Sequence, residues 1–253
     1  MSTKAFEVWK QSKPVVQISG KKVAASRPAE MFMKRNGLLP HFPYFFKPFR
    51  YWKKPLRNGP DLDLDGYFLA GIHEISGHGV GAVAIPLTNS GLASPKADQK
   101  VVEFGRGGEV LNSAIRVLDL PNSKSMHVCP DVLSGLTVAQ VTGQRTWASP
   151  RSTFFEYIEL PRSLEQVWVW KSHGADGTEG VHADHLVSRL LADGVSLVNV
   201  IELRPDSGFN SWEEVYKGLE LFNPKLSRED RLNQIKLVSN QSEVTSFGLT
   251  KMA

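Results

Sequence analysis

The chain carries apolar positions in alternating, helical and unbroken patterns, and each predicts an element. Alternation over Ala5–Trp9 and Pro14–Ser19 predicts two short strands, a hairpin through Lys10–Lys13. Ser26-Arg27-Pro28 ahead of Ala29–Arg35 has a capping side chain and a first-turn proline, which predicts a helix start. The largely apolar stretch Tyr67–Ile75, broken only by His73-Glu74, predicts a buried helix, and Val80–Leu87 a strand. Gly105–Gly108 forms a glycine-rich loop leading into Glu109–Leu118, and residues 121–150, rich in Pro, Ser and Gly, read as irregular.

The C-terminal half is patterned most clearly. Thr153–Leu160 and Glu165–Lys171 alternate as strands, joined by a turn at Pro161–Leu164. Leu186, Val187, Leu190 and Leu191 recur at helical spacing within Ala183–Asp193, Gly194 stops that helix, and Ser196–Leu203 is a further strand. Trp212–Leu221 follows as an amphipathic helix, with Ser211 as its cap and Glu213 and Glu214 in its first turn. The β-β-α-β order predicts an α+β fold with ferredoxin-like (RRM-like) units.

Composition adds boundaries. The 253 residues, 41% apolar and 22% charged, suffice for a sizeable core. A single cysteine, Cys129, excludes a disulfide framework and a cysteine-based zinc module. No apolar run is long enough to span a membrane, and the N-terminus lacks an apolar signal core, so a cytoplasmic location and no membrane partner are expected.

The net charge of +4 hides an uneven distribution. Residues 1–57 hold thirteen basic side chains against two acids, a net of +11, while the remainder carries −7. Within the segment, residues 41–57 (HFPYFFKPFRYWKKPLR) combine seven aromatic with five basic side chains. Flat rings stack on bases and cations neutralise phosphates, so this interleaving suits single-stranded nucleic acid. The cations Arg27, Lys34, Arg35, Lys47, Arg50, Lys53, Lys54 and Arg57 become candidate RNA contacts, with Tyr51 and Trp52 as stacking groups and Arg106 in the glycine loop as a supplement. The chain divides on this reading into a basic, aromatic-rich insertion over residues 1–60, packed on a mixed body over 61–253.

Three candidate chemistries are weaker. His73-Glu74-Ile75-Ser76-Gly77-His78 resembles the HExxGH zinc motif of the dipeptidyl-peptidase III metallopeptidases, in which the two histidines would ligate zinc and Glu74 would activate water. The glycines that follow, and the lack of a clear third ligand, favour a buried helix that ends in a glycine turn. His173, Asp176, His182, Asp184 and His185 are metal-ligand types in a glycine-rich stretch, with the same bland alternative. The Gly105–Gly108 loop lacks P-loop spacing. No catalytic residue, metal or cofactor is assigned.

The run Pro60–Ala70, followed by Ile85-Pro86-Leu87 and Ala93-Ser94, resembles the RAMP superfamily of CRISPR effector subunits, the type that caps the guide 5′ end. That resemblance implies ferredoxin-like units whose glycine loops face RNA. The expected function is therefore a non-catalytic RNA-binding subunit of a ribonucleoprotein, partnered by RNA and by other protein subunits. Alternatives are a structural component of a ribosomal, respiratory or virion assembly, a guide-processing ribonuclease using His41, and a zinc hydrolase using His73, Glu74 and His78.

Overall fold

The computed structural model describes residues 2–15, 27–36, 49–53, 64–93, 99–104, 109–173, 178–223, 225–245 and 251–252. These separate into two units, Met1–Val110 and Leu111–Ala253.

The first unit is built on an antiparallel sheet. Its elements are helix α1 (Ser2–Gln11), strand β1 (Lys13–Pro14), helix α2 (Arg27–Arg35), then β2 (Phe49–Lys53), β3 (Leu64–His73), β4 (Gly79–Thr88) and β5 (Lys100–Glu103), the strands pairing in sequence order. Phe49 of β2 stacks on Phe68 of β3 at 5.3 Å, and Phe32 of α2 closes on Phe68 at 5.1 Å. Phe6 and Trp9 of α1 meet Phe104 at 5.6 and 5.7 Å. Strands β3 and β4 form a hairpin whose turn is closed by Glu74 N–H donating to the His78 carbonyl at 3.0 Å. Gly77 sits there at φ 90°, a conformation costly for any residue with a Cβ.

The second unit is a seven-stranded mixed sheet in the order β12-β11-β10-β9-β7-β8-β6. Its strands are β6 (Ile115–Leu118), β7 (Ser125–Cys129), β8 (Thr146–Ala148), β9 (Gln166–Lys171), β10 (Leu197–Leu203), β11 (Ser239–Thr245) and β12 (Lys251–Met252). Helix α3 (Val132–Thr142) links β7 to β8, and α4 (Thr178–Ala192) links β9 to β10. Such helical crossovers are what parallel pairing requires, and β8, β7, β9 and β10 are parallel neighbours. Helices α5 (Trp212–Gly218) and α6 (Arg228–Val238) follow.

Alternation along these strands sorts the side chains. Met126, Val128, Val167, Val169 and Val198 form a buried layer with Ala183, Leu186 and Leu190 of α4. The opposite face presents His127, Trp168 and Asn199 in register across β7, β9 and β10. Helix α3 is buried almost all round and approaches β8 so closely that a Cβ on Gly135 would lie 2.8 Å from the Ala148 Cβ.

Several expectations are corrected here. Ala5–Trp9 lies inside a helix, and the apolar run 67–75 is mostly strand β3. Residues 121–150 contain β7, α3 and β8 rather than irregular chain, and Thr153–Leu160 holds a 3-10 turn over Ser152–Tyr157 instead of a strand. With that strand absent and β9 parallel to β10, the second unit is α+β without the ferredoxin-like pairing expected. The helices expected near 29–35, 183–193 and 212–221, and the strands near 80–87, 165–171 and 196–203, are present. Among the described residues no helix is long and apolar enough to cross a membrane.

Candidate functional site

In sheets with parallel strands, chemistry concentrates beyond the carboxyl ends of those strands. In the second unit these ends are Ala148 on β8, Cys129 on β7, Lys171 on β9 and Glu202–Leu203 on β10. Cys129 is fully buried, and burial followed by the nearby Asp131 charge pushes its thiol well up. Asp131 is committed to the N-terminus of α3, accepting from Leu133 N–H at 2.8 Å, Ser134 N–H at 3.0 Å and the Ser134 hydroxyl at 2.6 Å.

Lys171 occupies the centre. Its side chain is only 14% exposed, and its ammonium lies 2.9 Å from Asp184 of α4 and 3.1 Å from Glu202 of β10. Burial pushes the Lys171 pKa down, but the two carboxylates outweigh it and hold it above its ordinary value. Beside it the Ser172 hydroxyl donates to Glu179 at 2.7 Å, His173 Nε2 bonds the Leu203 carbonyl at 2.6 Å, and Trp212 Nε1–H donates to the Lys171 carbonyl at 3.2 Å. The carboxylates at these strand ends thus already serve a resident cation or a helix terminus.

The other candidate histidines do not converge on a metal. His182 and His185, one turn apart on α4, bond the two oxygens of Glu156 through their Nδ1 atoms at 2.9 and 2.8 Å. His73 ends β3, while Glu74 and His78 belong to the hairpin turn, so the sixfold motif forms a tight turn rather than a zinc helix. Among the described residues no group of three His, Cys, Asp or Glu side chains is placed to hold a metal ion. Asp176 and His41 lie outside the described residues.

The predicted cation and aromatic contacts divide. Arg50 faces inward: its Nε donates to the Ser12 hydroxyl at 2.7 Å, a terminal nitrogen donates to the Ser12 carbonyl, and its guanidinium lies 5.3 Å from the Trp9 ring. Burial lowers its pKa. Tyr51 is buried, with its hydroxyl donating to Asp65, and Trp52 is half-buried and stacked on Tyr67 at 5.7 Å. These groups hold the first sheet together, and only part of Trp52 remains open. Lys34, Arg35 and Lys53 are exposed, Lys34 being paired with Glu30 at 2.8 Å. Arg27 starts helix α2. Lys47, Lys54, Arg57 and Arg106 lie outside the described residues.

The backbone resembles solved structures of one kind. The DnaG primase catalytic domain bound to ssDNA superposes with a TM-score of 0.55 at 10% identity, over 93% of this chain and 77% of that one. The Escherichia coli primase catalytic core superposes with a TM-score of 0.52 at 9% identity, over 83% of this chain and 73% of that one. This chain has the fold of a primase catalytic core. The zinc-binding and RNA polymerase domains of Aquifex aeolicus primase also match, at a TM-score of 0.47 and 13% identity; 85% of this chain is covered, and it spans half of that one. No family and no curated protein matches the sequence.

The primase fold overturns the RAMP resemblance, and with it the non-catalytic CRISPR ribonucleoprotein-subunit and antiviral readings, while a nucleic-acid partner in general is consistent with it. The residues that carried the resemblance reach into β3, a strand, where the apolar pattern predicted a buried helix.

Polymerases transfer nucleotides with divalent cations clamped by carboxylates. The residues described here do not fit such ions: Asp184 of α4 and Glu202 of β10 are both paired with the Lys171 ammonium, and Asp131 is consumed by helix capping.

Proposed function

We propose that this chain handles nucleic acid as a module of the primase-core type, holding single-stranded DNA. The observation that carries the reading is the match over 93% of the chain to a primase catalytic domain bound to ssDNA. The concentration of positive charge in residues 1–57 supports it, since phosphate neutralisation supplies most of the affinity for a strand. Lys10, Lys13, Lys34, Arg35 and Lys53 are the exposed cations among the described residues of that segment, Lys10 and Lys34 pairing with Glu7 and Glu30, which leaves Lys13, Arg35 and Lys53 most open to a phosphate backbone.

The test is fluorescence anisotropy of a labelled single-stranded oligonucleotide titrated with the full chain at several KCl concentrations. Affinity should fall as a power of the salt concentration, and Arg35→Ala with Lys53→Ala should lower that slope by about one unit per lost phosphate contact. Absence of binding at low salt, or an affinity independent of salt, overturns the reading.

A further inference from the structure

A cavity of about 360 Å³ lies on the face of the second sheet opposite α4, between β7, β9 and helix α6. It falls in the range of small-molecule sites. One surface is the Trp168 indole, half-buried and nearly parallel to the His127 imidazole at 5.7 Å and 12°. His127 is fixed in one tautomer. Trp170 Nε1–H donates to its Nδ1 at 2.8 Å, so the proton rests on Nε2, which donates to the Gln144 Oε1 at 3.1 Å. Burial keeps this ring neutral, so Trp168 lies on an uncharged support. Leu232, Ile235 and Ile201 supply an apolar wall, while Gln166 and Gln241 add amide groups able both to donate and to accept.

The charged lining is all of one sign. Arg228 and Lys236 of α6 border the cavity, both exposed, and among the described residues neither forms an ion pair. Together the features specify a flat, hydrogen-bonding ring that carries an anion.

We propose that this cavity binds one nucleotide, its base stacked on Trp168 and its phosphate between Arg228 and Lys236. The choice of a nucleotide among flat anions rests on the nucleic-acid reading above. A free nucleoside triphosphate and one residue of a single strand both offer this combination of stacking and charge.

The experiment measures isothermal titration of dATP, dTTP and inorganic tripolyphosphate, alongside anisotropy of a labelled twelve-nucleotide strand. It compares wild type with Trp168→Leu, Trp168→Phe and Arg228→Gln/Lys236→Gln, each first shown to unfold cooperatively. For a free nucleotide, Trp168→Leu and the double variant should each weaken dATP binding about tenfold or more, as expected for loss of one stacked ring or two charges. Trp168→Phe should retain most of the affinity, and tripolyphosphate should bind far more weakly than dATP. For a strand residue, the same losses appear with the oligonucleotide and not with free nucleotides. Affinities unchanged by Trp168→Leu for both ligands overturn the site, as does tripolyphosphate binding as tightly as dATP. Oligonucleotide binding that survives in all variants leaves the primase-type reading standing without this site; dATP binding lost with Trp168 in a chain that binds no strand does the reverse.

Discussion

Lys171 Nζ lies 3.1 Å from Glu202 Oε1 across two neighbouring parallel strands, with Asp184 on the same ammonium at 2.9 Å. A lysine thus occupies the middle of a carboxylate pair at the strand ends of a primase-type sheet. Replacing it by Met leaves two carboxylates facing each other and should destabilise the fold by about 1–3 kcal/mol. Lys171→Asp should cost more in the absence of metal and regain melting temperature on addition of Mn²⁺ or Mg²⁺, a response the wild type should lack. Thermal melts with and without each cation decide it; no cation-dependent recovery in Lys171→Asp sinks the assignment.

His127 makes stability pH-dependent in a definite window. Desolvation lowers its pKa from 6.5 to about 4, the Gln144 hydrogen bond opposing and Arg228 assisting. The unfolded chain therefore takes up the proton first. The contribution is fully present above pH 6.5 and is lost as pH falls towards 4, amounting to about 3 kcal/mol at most. Melting temperature should decline over that interval in wild type and decline less in His127→Gln; equal slopes refute this.

Glu156 acts lower on the scale. Burial raises its pKa, but hydrogen bonds from His182 and His185 outweigh that and place it below 4.5. Its stabilisation is present above the unfolded value and disappears as pH drops through the folded one. Glu156→Gln should cost about 1 kcal/mol near neutrality and flatten the acid limb below pH 4.5, measured by urea unfolding at several pH values.

Gly135→Ala tests the α3–β8 contact. Its added methyl would meet Ala148 Cβ at 2.8 Å and Val117 Cγ2 at 3.1 Å. Overpacking there should lower stability by about 1–3 kcal/mol, outweighing the helix propensity gained. A neutral or stabilising change in denaturant midpoint would contradict the closeness of that helix.

What the sequence made legible depends on how each element is buried. Helix α4 keeps Leu186 and Leu190 inward and Glu179, Asp184 and Ser188 outward, so its period is visible. Helix α3 is buried on nearly every side, leaving no polar stripe to mark a period, and only Asp131 and Gly143 at its ends betrayed it. Strand β3 is covered on both faces, which makes its apolar run indistinguishable from a buried helix; the S-G-H-G turn and the second apolar run that follows were the better signal. The concentration of positive charge was readable, but Arg50 and Tyr51 turned inward through Ser12 and Asp65, partners that only the sheet brings near. The Trp168–His127 stack joins residues 41 positions apart and depended on knowing that β7 and β9 are parallel neighbours.

The burial of Cys129 has a practical side. The chain has no other cysteine, and this one is sealed inside the sheet with its thiol held in the unreactive protonated form. A maleimide dye or spin label should therefore pass over the native protein. A single cysteine introduced at exposed Leu237, next to Lys236 and outside the cavity lining, would take the probe alone, and so report occupancy near the Trp168 cavity without any background to subtract.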